Sequence, residues 1–112
     1  MAITNKTLNE GAQLTTAAAI YYTAPALTTA VIKKLTITNS TGGAVSVTIY
    51  LVPAAGAAGV TNIVTSAKSI LAGAVYEAYE CENHVLMPGD TLQALASANT
   101  SLTLKASGIE IV

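Results

Sequence analysis

The sequence contains no tryptophan, no phenylalanine and no arginine, and one residue each of cysteine, histidine and aspartate. A single cysteine excludes an internal disulfide framework and any cluster of thiolate metal ligands. Five lysines against six acidic residues give a net charge of −1, with no electrostatic footprint for nucleic acid. Apolar runs are short: Ala17–Ile20 and Tyr50–Ala55 are among the longest, far below the length that spans a bilayer. The opening Met1-Ala2-Ile3-Thr4-Asn5-Lys6 lacks the basic start and apolar stretch of a signal peptide. The expectation is a chain made in a cytoplasm. Charged residues make up only 10% of the sequence, where about a quarter is usual.

Apolar residues, by contrast, make up 52%, much of it alanine, and the mean hydropathy is +0.55. The surface must therefore be built from Thr, Ser, Asn, Ala and Gly. A lone domain ordinarily keeps itself dispersed with charge, so part of this surface is expected to lie against other chains. The 112 residues suffice for one domain spanning 1–112. Folding should bury about two-thirds of the chain, leaving roughly 5,700 Å² accessible.

The dominant patterning is of period two, with the first dozen residues polar and weakly patterned. In Val45-Ser46-Val47-Thr48-Ile49-Tyr50-Leu51 the aliphatic residues share one parity and the polar residues the other. This is a half-buried antiparallel strand, closed by Pro53. Leu35-Thr36-Ile37-Thr38-Asn39 alternates likewise, and Ser40-Thr41-Gly42-Gly43-Ala44 offers loop glycines. The spacing predicts a hairpin of Val31–Asn39 with Val45–Val52, with Leu35, Ile37, Val47 and Ile49 facing one core. Further strands are expected at Ala19–Thr23, Thr61–Ser66, Ala74–Glu80, Val85–Met87, Thr91–Ser97 and from Leu102 to the end. A loop is expected at Pro53–Gly59 and room for a helical turn at Ala67–Ala74. Pro88-Gly89 carries the type II turn signature. In the last strand Leu102, Leu104 and Ala106 share one parity while Ile109 and Ile111 take the other, which predicts a bulge at Ser107-Gly108. Residues 1–12 read as an N-terminal arm or an edge strand. Seven or eight short strands make this an all-β chain, an antiparallel β-sandwich of jelly-roll or Ig-like type.

Candidate chemistry is sparse. If Glu80, Glu82 and His84 alternated on a strand they would share a face, a weak His/Glu metal site; the competing reading is a solvated loop. Cys81 with His84 has the residue types of a nucleophile and base, but neither an orienting third group nor an oxyanion site accompanies them. A structural thiol is the simpler reading. Asp90, after Pro88-Gly89, is read as bonding nearby backbone N–H groups in its turn. The acidic residues Glu77, Glu80, Glu82, Asp90 and Glu110 lack the alternating glycine-containing loop of calcium sites. Tyr21, Tyr22, Tyr50, Tyr76 and Tyr79 serve either as core and interface contacts or as a sugar-binding face. Lys33-Lys34 is a pair, not a basic patch, and Gly42-Gly43 is no phosphate loop. The expectation is no enzyme: no catalytic residue, no metal and no cofactor.

Ile20-Tyr21-Tyr22-Thr23-Ala24-Pro25, Thr28 to Asn39 and Val47-Thr48-Ile49-Tyr50-Leu51-Val52-Pro53 together resemble a group of small tailed-bacteriophage virion proteins. Leu86-Met87-Pro88-Gly89-Asp90-Thr91-Leu92 and the ending Ala106-Ser107-Gly108-Ile109-Glu110-Ile111 fit the same pattern; the more acidic Tyr79–His84 departs from it. The resemblance implies a β-sandwich accessory subunit of capsid, collar or tail, acting as a capsid decoration or cement, with no catalytic residues to carry over. It further implies a homo-oligomer, a trimer or ring, in contact with other virion proteins and assembled in the bacterial host cytoplasm. No nucleic acid or membrane is expected as partner. The alternative is a receptor- or glycan-binding module of a phage fibre, which would expose several tyrosines together.

Overall fold

The computed structural model describes residues 2–112. The accessible surface is 5629 Å², as a folded chain of this mass should have. Nine strands form two antiparallel sheets: β1 (Ile3–Gln13), β2 (Ala19–Thr23), β3 (Thr29–Asn39), β4 (Val45–Val52), β5 (Ile63–Ile70), β6 (Val75–Glu77), β7 (Val85–Leu86), β8 (Thr91–Ala96) and β9 (Leu102–Ile111). Sheet A runs β1-β9-β3-β6, with β7 also pairing β3; sheet B runs β2-β8-β4-β5. The all-β sandwich is thus the fold, with nine strands rather than seven or eight.

The core lies between the sheets. Ile32, Leu35, Ile37, Leu102 and Leu104 of sheet A meet Val47, Ile49, Leu92, Ala94 and Ala96 of sheet B, all essentially without solvent exposure. Leu35, Ile37, Val47 and Ile49 do face one core.

The hairpin expected between β3 and β4 does not form. β3 pairs with β9, β6 and β7, whereas β4 pairs with β5 and β8. Residues 40–44 instead carry the chain from one sheet to the other, so the two strands face each other across the core. Buried Asn39 organises that crossing. Its Nδ2 donates to Gly43 O at 2.8 Å and Ile70 O at 2.9 Å, and its Oδ1 accepts from Thr41 N at 2.9 Å and Thr41 Oγ1 at 2.7 Å. Four bonds from one side chain satisfy a corner that a two-strand ladder would otherwise occupy.

The bulge expected in β9 lies in its neighbours instead. β9 keeps one parity throughout: Leu102, Leu104, Ala106, Gly108 and Glu110 are all buried. β1 and β3 each carry an extra residue opposite that point, Leu8 between the pairs Thr7↔Ser107 and Asn9↔Ala106, and Lys33 between Ile32↔Gly108 and Lys34↔Ser107. A Cβ at Gly108 would collide with the Val31 carbonyl oxygen and touch Leu8 Cδ1 at 3.0 Å. Glycine lets the two bulged strands close on a straight one. Ile109 and Ile111 are half-buried on the outer face.

Other boundaries shift for local reasons. β5 runs on through Ala67 to Ile70 in place of a helical turn; Ala67 takes φ 45° as a bulge residue, and its N–H donates to Thr48 Oγ1 at 3.1 Å. The strand expected at Ala74–Glu80 stops at Glu77, and Tyr79–Cys81 is a short 3-10 turn. Residues 3–13 form an edge strand on β9, the second of the two readings for the N-terminal segment.

Candidate functional site

The sequence-derived candidates for chemistry do not converge. Because residues 79–81 turn, Glu80, Glu82 and His84 share no strand face. Cys81 is fully buried, and burial, with the Glu80 charge second, pushes its thiol up to about 12. His84 is exposed and meets Cys81 only through the backbone, its N–H donating to Cys81 O at 3.3 Å. Thr65 Oγ1 donates to Glu80 Oε2 at 2.8 Å, and the Tyr76 hydroxyl donates to the same oxygen. Burial would raise the Glu80 carboxyl, but the bonds from Tyr76, its own backbone and Thr65 outweigh it and hold the group below its ordinary value. Tyr76 is raised to about 12, by burial first and then by Glu80. Glu82 is raised, chiefly by the neighbouring Glu77 carboxyl, which Lys34 approaches at 3.8 Å.

The remaining acids stand elsewhere. Glu110 of β9 accepts from the Tyr22 hydroxyl of β2 at 2.6 Å and from Lys6 Nζ of β1 at 3.2 Å. This inter-sheet tie was not foreseen; a lone Glu at a core parity of the last strand was its sequence signal. Asn9 Nδ2 adds a second tie on that side, to Tyr21 O at 2.8 Å. On the opposite side Thr65 and Glu80 join sheet B to the 3-10 turn. Polar bonds thus close both open sides of the sandwich.

Asp90 does what its turn predicted. Its Oδ1 accepts from Ala54 N at 3.0 Å and its Oδ2 from Met87 N at 2.9 Å. Three turns meet around it, and each contains one of the chain's three prolines. Each has a left-handed residue in third position: Leu27 (φ 58°) in Pro25–Thr28, Ala55 (φ 64°) in Pro53–Gly56 and Gly89 (φ 88°) in Met87–Asp90. In each the fourth residue's N–H donates to the first residue's carbonyl, at 3.2, 2.9 and 2.9 Å, as in type II turns. Ala24 N donates to Asp90 O and Gly89 N to Ala24 O, both at 2.9 Å. The turns are braced into one platform.

That platform is apolar and poor in charge. The segments 24–28, 53–62 and 87–90 contain one ionisable side chain, Asp90, and its oxygens are taken up internally. Leu27 is 87% exposed and Val60 88%. Ile3, Val85, Met87 and Val112, close by through the Ile3↔Ile111↔Thr29 and Val31↔Val85 pairings, are also more than half exposed. A leucine at positive φ costs on the order of 1 kcal/mol, and here it holds an apolar side chain in solvent.

Charge is divided between the sheets. Lys6, Glu10, Lys33, Lys34, Glu77, Lys105 and Glu110 all lie on strands of sheet A; Lys68 alone lies on sheet B, on its edge strand β5. Strands β2, β8 and β4 contain no ionisable group except tyrosine. Of the tyrosines, Tyr22 is buried, Tyr21 and Tyr76 pack against the core, Tyr50 is half-buried, and Tyr79 is exposed.

No protein-family model matches the chain, and no curated protein matches it. Among solved structures, an infectious bursal disease virus structure (Gx strain) overlays with TM-score 0.49 at 18% identity, covering 97% of this chain and 30% of that one. The VP2 subviral particle of infectious bursal disease virus gives TM-score 0.48 at 16% identity, covering 97% and 31%. The chain spans about a third of the length of either.

Proposed function

We propose that the protein is a non-catalytic structural subunit of a tailed-phage virion, an accessory to capsid, collar or tail that works by covering and bracing neighbouring subunits. The observation that carries this reading is the proline-braced platform. It presents Leu27, Val60 and Met87 on a cross-bonded base whose one carboxylate is held by backbone N–H groups, which suits attachment to another protein surface. The phage assignment comes from the sequence resemblance over Ile20–Pro53 and Leu86–Leu92, and the second of these segments builds part of the platform. The distribution of tyrosines favours this reading over a glycan-binding fibre module, because only Tyr79 stands free.

Mass spectrometry and imaging of purified particles test the proposal. The expected result is this chain at fixed stoichiometry, with its platform end against a neighbouring virion protein. Absence from purified particles would overturn it, and a position at a fibre tip would promote the receptor-binding alternative.

A further inference from the structure

The outer face of sheet B does not fit a surface meant to stay in water. Its exposed row runs Ile20, Gln93 and Tyr50 across paired strands, with the pair Leu95 and Thr48 beside it. Ile20 is 57% exposed and the others are half-buried. The outward face of an antiparallel sheet normally carries charged residues, and sheet A follows that rule with exposed Lys33, Lys34 and Lys105.

We infer that a second copy of this chain stacks on the outer face of sheet B, the same face of each copy meeting the other about a two-fold axis. Charge selects this occupant. In such a contact every group faces a copy of its partner's surface. Hydroxyls and amides both donate and accept, so Thr48, Tyr50 and Gln93 can bond to one another across the axis. Lysines on sheet A cannot, and stacking sheet A on itself would have to take the exposed Lys33, Lys34 and Lys105 out of water. Size fits a weak, concentration-dependent dimer. Four strands about 4.8 Å apart and five to eight residues long, at about 3.3 Å each, make a face of roughly 430 Å². Pairing two such faces removes on the order of 900 Å² from water, in the range of small, transient interfaces. The apolar platform stays at the end of each sandwich, clear of the stacked faces.

This contact rests on the assembly reading above, yet it forms in purified protein with no particle present, so the two can fail separately. Sedimentation of the purified chain over a wide concentration range should give a dimer. Leu95 sits mid-strand, opposite Thr48. Leu95→Lys and Leu95→Glu should each sediment as a monomer with an unchanged β spectrum, at least tenfold weaker in self-association. Mixed in equal amounts, the two variants should recover the dimer, because unlike charges then meet across the axis. Should either Leu95 variant lose its β spectrum, Gln93→Lys and Gln93→Glu make the same comparison. A strictly monomeric wild type, variants that still dimerise, or a mixture that stays monomeric would each overturn the inference. A monomer found in purified virions would remove the stacking and leave the assembly reading intact.

Discussion

The Tyr22 hydroxyl of β2 reaches across the sandwich to the Glu110 carboxylate of β9 at 2.6 Å. This bond holds Glu110 below its ordinary pKa, with Lys6 assisting from the edge strand. The same carboxylate, after burial itself, raises the Tyr22 hydroxyl. One bond therefore couples both sheets and the first strand.

Tyr22→Phe should cost about 1–3 kcal/mol, because it strips a donor from a buried acceptor. It should also change the acid limb. A depressed folded pKa means that the unfolded chain binds more protons in acid. The stabilisation is complete above the unfolded value, about 4.3, and is lost as pH falls through the folded one. Urea midpoints from pH 7 to 3 should fall less steeply in Tyr22→Phe than in wild type; parallel curves would refute the coupling.

Gly108→Ala should be among the most damaging single-methyl additions in the chain. The new Cβ collides with the Val31 carbonyl, which is backbone, and presses on the end of the buried Leu8 side chain. Relief requires β3 or β1 to lose its bulge register, at a cost of several kcal/mol. Thermal unfolding reads this directly, and a midpoint within a degree or two of wild type would contradict the bulge geometry.

Stability should decline above about pH 9. Cys81 and Tyr76 are both held to about 12, from 9.0 and 10.0, so the folded chain keeps protons that the unfolded chain releases. Their contribution is complete below the unfolded values and disappears as pH rises through the folded ones. Cys81→Ala should move the onset of the decline from near pH 9 to near pH 10. Melting temperatures from pH 8 to 11 would expose an unchanged onset, which would mean that the thiol is not buried.

Asp90→Ala should loosen the platform while sparing the core. It frees Ala54 N and Met87 N, at about 1–2 kcal/mol. Amide exchange should accelerate in 53–62 and 87–90 and stay slow in β3, β4 and β9. Uniform acceleration would show that Asp90 supports the whole fold instead.

These features were unequally legible in the sequence. Period-two alternation gave the class and the core parity of Leu35, Ile37, Val47 and Ile49. It did not give neighbours, since parity says which face of a strand is buried and nothing about the strand beside it. Glycines between two alternating runs therefore looked like a hairpin, and only the Asn39 side chain, bonding to both Gly43 and Ile70, reveals a crossing. The bulge signal at Ser107-Gly108 located the irregular level correctly but on the wrong strand; Leu8 breaks alternation in a segment too polar for the break to register, whereas in β3 the parity changes from Ala30 and Ile32 to Leu35 and Ile37 across Lys33-Lys34. Asp90 was readable because its turn is local. The Tyr22–Glu110 bond joins residues 88 positions apart; the place of Glu110 on the buried parity of β9 hints at a tie, but nothing local names its partner.

The adjacency of residues 2 and 112 has a mechanical consequence. Ala2 and Val112 exchange backbone bonds at 3.1 and 2.9 Å at the free end of the β1–β9 ladder. Tension applied between those residues would load the ladder one rung at a time, peeling β1 away like a zipper rather than shearing it. Traction through the chain ends would thus meet little resistance, while compression along the 46 Å long axis would bear on strands and braced turns together.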